Sequence, residues 1–431
     1  MKVFMRLLPF LLPLFLWATP AFAEDERVVK IYHDTDWLNN VQSSESIWRG
    51  MEIALAEVGS TVNGTRVELI KKNHSGNVTR SLRNMKQFLN DDQALAVFSG
   101  MHSPPLITNR DFINKNNIPV LVPWAAGGPI TRYPSVENSI FRLSVDDTKA
   151  GAVMVAFARS QYQCSSPYLL LENTPWGDSN ARSIKKALDK SGAMAAGTKR
   201  FDWSMKSHVA RSIISDVVRQ GAECVIMVAS SAEGAQIALS MGELEEASRI
   251  PIISHWGITG GNFHETVDSA AREKIDLSFI QTCFSFMDTP LPSLAQKVFE
   301  DLKAAYPDDI AAPKDIEAPY PDDIGAPKNI ESPVGFIHAY DLMKVFIAAL
   351  ENVELTGNMT ENRKLLKAAL ETLDTPVEGL VKTYNKPFTQ FSLSNPDAHE
   401  ALGEEDICMA SYGAENEILI YQNRERSNAV P

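Results

Sequence analysis

Apolar runs of strand length alternate with amphipathic helical stretches along the chain, and after Asp146 the alternation starts again from the beginning. Residues 28–32 read as a β-rich run. Ile47, Met51, Ala54, Leu55 and Val58 then recur at spacings that keep one helical face apolar. A strand over 66–70, a helix through Leu82, Met85 and Leu89, a buried strand over 94–98, a helix through Ile113 and a strand over 118–122 continue the pattern. In the second round, 168–171, 199–202, 224–229 and 252–254 read as strands, with helices over 179–191, 209–220 and 236–241. Continuous apolar strands are buried on both faces, which calls for parallel sheets covered by helices. The expected fold is therefore α/β, with two doubly wound parallel-sheet lobes rather than one large sheet.

The N-terminus reads as an export signal. Lys2 and Arg6 form a basic start, residues 7–17 are apolar apart from Pro9 and Pro13, and Ala21-Phe22-Ala23 is a small-x-small cleavage pattern, so residues 1–23 are expected to be removed. An uncleaved membrane anchor would need a longer unbroken apolar span. No Cys follows the expected cut, so no lipid anchor is expected, and no later segment reads as apolar enough to cross a bilayer. The whole chain carries 41 Lys+Arg against 54 Asp+Glu, net −13, and losing Lys2 and Arg6 takes it two charges lower, to −15. Such an acidic surface disfavours nucleic acid or an anionic membrane as partner.

Residues 306–319 and 320–333 are a tandem repeat of Tyr-Pro-Asp-Asp-Ile-x-Ala-Pro-Lys-x-Ile-Glu-x-Pro. Its prolines exclude a regular helix or central strand, so an exposed insertion is expected, and its Asp pairs lack the ligand spacing of an EF-hand loop. A helix over 334–352 follows, and the tail from Phe388 reads as short strands and polar turns.

In open parallel sheets, ligands bind outside the carboxyl ends of the strands. The segments there are 33–39, 100–104, 124–128, 172–177, Trp203, 230–233 and 255–257. Trp37, Trp124, Trp176, Trp203 and Trp256 all fall in or beside them. Any one of these could cap a core beside a loop; five together point to an aromatic-walled cleft that stacks on planar groups or holds an ammonium by cation–π attraction. No GxSxG, P-loop, GxGxxG or HExxH occurs, and neither a catalytic residue, a metal ligand set nor a cofactor is expected. Asp34-Thr35-Asp36 is too short to mean metal binding. His102 and His255 stand at strand ends and read more readily as plain loop histidines than as ligand contacts, while Glu233 either faces a ligand or caps the next helix.

Taken in order, these segments resemble the type I periplasmic binding proteins of the branched-chain amino acid and amide class, which serve ABC transporters. The likeness runs through Trp48-Arg49-Gly50-Met51-Glu52-Ile53-Ala54-Leu55, Asn63-Gly64-Thr65-Arg66-Val67-Glu68-Leu69, Ala96-Val97-Phe98-Ser99-Gly100-Met101-His102-Ser103, Ile118-Pro119-Val120-Leu121-Val122-Pro123, Phe141-Arg142-Leu143, Trp176-Gly177 and Pro387-Phe388-Thr389-Gln390-Phe391. The resemblance implies a three-crossing hinge near 145–148, 282–288 and 387–392. Lobe one would hold 24–146 plus 285–386, with the repeat inserted, and lobe two 147–284 plus 387–431. It also implies closure around a ligand, with Trp37, His102, Ser103, Trp124, Ala125, Ala126, Gly127, Trp176, Ser230, Glu233, His255 and Trp256 as contacts. Trp176 would be the strongest contact in lobe two, its ring facing the open cleft, so that truncation should cost affinity rather than stability.

This chain departs from the family where a small hydroxyl residue is usual near Gly127 and an acidic one near His255 or Trp256. An ordinary zwitterionic amino acid would leave buried charges unpaired there, which favours an amide, aromatic or amine-bearing ligand. The partner would be an ABC permease, or alternatively a membrane kinase or cyclase served by a ligand-sensing subunit; a secreted enzyme is the third reading. A periplasmic monomer is expected.

All four cysteines lie in the exported part, where disulfides persist. Four cysteines allow three pairings and none is spaced as CxxC. Cys164 and Cys224 precede strands that should be neighbours in a doubly wound sheet, so that pair is expected, with Cys283 and Cys408 left as a second.

Overall fold

The computed structural model describes Met1, residues 27–307 and residues 330–421. The expected export signal, Met1 apart, lies outside these residues, as does the repeat between 308 and 329. The first half of the molecule is a sheet of β1 (Arg27–Thr35), β2 (Thr61–Val62), β3 (Thr65–Asn73), β4 (Ala94–Ser99), β5 (Val120–Val122) and β6 (Ile140–Arg142) in the order β2-β3-β1-β4-β5-β6. Only the short β2 runs antiparallel. Its connections are helices α1 (Val41–Ala56), α2 (Val78–Asn90) and α3 (Ser103–Lys115).

The second half begins with α4 (Asp147–Tyr162) and alternates through β7 (Pro167–Glu172), α5 (Pro175–Ser191), β8 (Gly197–Phe201), α6 (Ser207–Arg219), β9 (Cys224–Val228), α7 (Ser231–Gly242) and β10 (Ile252–Ser254). Short helices α8 (Phe263–Thr266) and α9 (Ser269–Arg272) lead to β11 (Leu277–Thr282). Helices α10 (Ser293–Ala305), α11 (Pro333–Leu350) and α12 (Met359–Thr372) return to the first half, where α10 and α11 pack on α1 and α12 on β4. A small hairpin of β12 (Val377–Glu378) and β13 (Thr383–Tyr384) follows, and then β14 (Ile407–Tyr412) and β15 (Ile418–Ile420) complete the second sheet in the order β15-β14-β11-β10-β9-β7-β8. Both sheets have parallel interiors, and β14 and β15 join the second as an antiparallel edge.

The chain thus passes between halves after β6, after β11 and after β13. Charge is concentrated where it does so. Arg142, at the end of β6, is fully buried and donates to both carboxylate oxygens of Glu400 at 2.9 and 2.7 Å, while Asp146 lies 3.0 Å away. Arg132 reaches the same Asp146 at 2.5 Å. Burial alone would raise the Asp146 carboxyl, but Arg142 and Arg132 hold it below its usual range.

Two features depart from the sequence reading. Helix α4 buries Ala150, Gly151, Met154, Val155 and Ala158, a face built largely of small residues and therefore a weak periodic signal; Gly151 lets α5 approach, since a Cβ there would come 2.6 Å from Ser183 Oγ. Helix α11 is 18 residues long and apolar enough to span a bilayer by length and composition, yet it is the buried centre of the first half. It packs so closely on α1 that a Cβ at Gly50 would meet the carbonyl of Phe336 at 2.4 Å. Disulfides join Cys164 to Cys224, tying the approach to β7 to the first residue of its neighbour β9, and Cys283 to Cys408, tying the end of β11 to β14.

Candidate ligand cleft between the halves

The strand ends of the two sheets face each other, and their connections enclose two adjoining spaces. The inner one offers only about 20 Å³; Met101, Ser103, Trp124 and Ala126 wall it from the first half, and Glu172, Trp176 and Trp256 from the second. The outer chamber offers about 400 Å³ between the loop that precedes α1 and the start of α7. His102, Trp203 and Ser230 border both.

Tryptophans occupy the inner space because short backbone devices aim them there. Trp256 opens a 3₁₀ turn, Trp256–Gly260, directly after β10, and is 1 % exposed; its ring lies 6.3 Å from Trp124 and 5.4 Å from His338, both residues of the first half. Thr174 caps α5 by accepting from the Gly177 N–H, and Pro175 at the first helical position places Trp176 in the first turn. The Trp176 indole donates to Asp147 Oδ1 at 3.2 Å and stands edge-on to His255, whose Nε2 lies 3.1 Å from the same oxygen. At 8 % exposure the Trp176 ring is packed between the halves rather than turned to an open cleft.

Trp203, between β8 and α6, differs. It is 39 % exposed, donates from Nε1 to Glu172 Oε2 at 2.8 Å, and tilts over His102 at 5.4 Å. Three carboxylates surround it. Asp36 accepts from the backbone N–H groups of Leu38 and Asn39 at 3.2 and 2.9 Å and from Asn40 Nδ2 at 3.0 Å, with His102 Nε2 3.6 Å away. Burial opposes its charge, yet His102 and these donors hold the Asp36 carboxyl well below the ordinary range. Burial raises Glu172, against hydrogen bonds from Trp203 and from the Ser230 N–H at 2.6 Å. Burial likewise raises Glu233, which accepts from the Ser204 N–H at 2.7 Å. His74 beneath the chamber is lowered to about 3 by burial and by the neighbouring His102, so it is neutral.

Of the residues expected from sequence, His102, Ser103, Trp124, Ala126, Trp176, Ser230 and Trp256 come together on the inner wall, and His102, Ser230 and Glu233 on the outer. Four do not reach either wall. Trp37 packs against His33 and Trp48, with Lys71 Nζ 4.1 Å over its ring. Ala125 is buried in the core of the first half, and His255 is covered by Trp176. Gly127 donates its N–H to the Ser103 hydroxyl at 3.0 Å, and a Cβ there would come 2.8 Å from the terminal methyl of Ile107, which a larger residue would have to displace. Asp34 is spent on Ser81 and Asn84, at 2.6 Å each, and among the described residues no group of three His, Cys, Asp or Glu could hold a metal. The sequence reading passed over Gln42, Ser75, Gly76, Ser204 and Asn262, all on the outer chamber. Ser75 and Gly76 follow β3, which runs on through the polar Lys71, Lys72 and Asn73 after its apolar signal ends at Ile70.

The family described as "Periplasmic binding protein" matches residues 39–390. Among curated proteins, none matches this sequence. Solved structures share the fold, three of them as follows. A periplasmic binding protein type 1 from Bordetella pertussis Tohama I superimposes with TM-score 0.72 at 15 % identity over 91 % of this chain and 99 % of its own. A leucine binding protein from Thermotoga maritima MSB8 gives TM-score 0.67 at 15 % identity over 91 % and 98 %. An ABC transporter solute binding protein from R. palustris in complex with benzoate also gives 0.67 at 15 % over 91 % and 95 %.

Proposed function

The chain belongs to the periplasmic binding protein family, and from that premise we propose that it is the periplasmic substrate-binding protein of an ABC transporter, capturing a small organic ligand between two lobes. The observation that carries this is the enclosed space where the strand ends of two sheets confront each other across three chain crossings. Residues 24–146 with 285–386 act as one lobe and 147–284 with 387–431 as the other. They close about the crossings near Asp146, Cys283 and Phe388. His102, Ser103, Trp124, Ala126, Trp176, Ser230, Glu233 and Trp256 form the facing walls. Binding energy favours the closed pair, and a membrane permease reads that state. Similar solved proteins are substrate-binding or solute-binding proteins of ABC transporters, one in complex with benzoate and one with Leu, which supports the same role here.

The test is mass spectrometry of small molecules released when natively purified protein is denatured, with small-angle scattering before and after the released compound is added back. One stoichiometric organic compound, and a more compact particle on its return, is the expected result. A ligand converted over hours of incubation would instead make the protein an enzyme.

A further inference from the structure

Resting on that reading, we infer that the ligand is a small organic cation with an ammonium group and no carboxylate, held in the outer chamber against Trp203 rather than among the inner tryptophans. Space decides the position. The inner 20 Å³ is room for about one water, because Trp124, Trp176 and Trp256 fill it, whereas the outer chamber's 400 Å³ suits a small metabolite.

Charge decides the class. Asp36 and Glu233 stand on the outer wall and Glu172 lies directly behind Trp203, while no Lys or Arg among the described residues lines either space. Four backbone donors beside the chamber that could have helped cradle an anion are already taken by these carboxylates: Leu38 and Asn39 by Asp36, Ser204 by Glu233, Ser230 just before α7 by Glu172. A ligand carboxylate would meet like charge with those donors spent; an ammonium meets free acceptor lone pairs and the open face of an indole. A polar group of the wall also waits for a partner. Ser231 is 6 % exposed, lines the chamber, and its hydroxyl makes no hydrogen bond with the described residues, which leaves it for a ligand hydroxyl or N–H.

Titration calorimetry on the disulfide-intact exported chain tests this with matched pairs: choline and 3,3-dimethylbutan-1-ol, putrescine and butane-1,4-diol, tyramine and 4-ethylphenol, together with leucine and benzoate. The expected result is that at least one amine binds, and its neutral counterpart binds about thirtyfold or more weakly. E233Q, which keeps the oxygen that accepts from Ser204, should weaken that amine at least tenfold without moving the melting temperature by more than a few degrees. An exposed control, E246Q, should change nothing. Leucine, benzoate or a neutral counterpart binding as tightly as the amines, or an amine indifferent to E233Q, overturns the cation and leaves the receptor standing. Binding of none of the probes, with no small molecule released on denaturation, overturns both.

Discussion

Trp203 keeps 39 % of its surface open while Trp124, Trp176 and Trp256 keep 1, 8 and 1 %, so the four indoles of the cleft carry different energies. Truncating Trp203 to Ala removes a part-exposed ring and the donor to buried Glu172 Oε2, and should cost about 1–2 kcal/mol of unfolding free energy. Affinity for the tightest amine of the panel should nevertheless fall about tenfold or more. Trp176→Ala opens a cavity and strands Asp147, and should cost about 3 kcal/mol in urea unfolding; a W176A protein as stable as the parent would mean that its ring turns to the solvent. His338 gives a prediction in pH. It is fully buried, with Nδ1 3.0 Å from the Pro123 carbonyl and Nε2 3.0 Å from Thr282 Oγ1, and burial lowers it to about 4. A histidine depressed in the folded state contributes stability present above its ordinary value near 6.5 and lost as pH falls towards 4. Relative to His338→Gln, the parent should therefore lose stability between those limits, by something of the order of 3 kcal/mol. Parallel stability curves for the two proteins would rule this out.

At the level of elements, the disulfide between Cys283 and Cys408 fixes the strand that ends at a crossing to the strand that arrives from the next one, across a sequence separation of 125 residues. The double replacement C283S/C408S should lower stability by about 2–5 kcal/mol in chemical denaturation, with β14 losing protection from hydrogen exchange first. That pair could be named beforehand only as the remainder of Cys164 and Cys224, whose strands are legible because β7 and β9 are short, continuous apolar runs. Legibility fails where the physical signal is diluted. Helix α4 buries small residues that barely register as a stripe, and Trp176, read as part of a loop, sits in a first helical turn announced by Thr174 and Pro175. The cleft was legible as tryptophans at strand ends. Its chamber was not, because Gln42, Ser75 and Ser204 are ordinary polar residues until the fold sets them opposite one another. Nor could the sequence reveal that Trp37 would turn inward to His33, Trp48 and Lys71.

At the scale of the whole molecule, the two halves share one buried charge network. Glu400 follows the last crossing and neutralises Arg142 at the first; Glu400→Gln leaves Arg142 with Asp146 as its one carboxylate partner among the described residues, and Arg132 with Asp146 and the exposed Asp397. Removing one member of a buried set usually costs 3–5 kcal/mol, so E400Q should unfold at distinctly lower urea concentration, and an unchanged midpoint would show that water reaches the cluster. The indole of Trp256 has a different consequence. It springs from the second sheet yet rests between Trp124 and His338 of the first, so parting the halves means baring it. A tryptophan covers about 150–250 Å², and exposing that much apolar surface costs roughly 4–6 kcal/mol. Without cargo this cost is all that the indole sets against opening; with cargo the ligand's own contacts add to it, so the filled pair opens far more rarely than the empty one. Residence time, more than tightness, becomes what this architecture sets: a molecule once inside leaves only as often as the indole does.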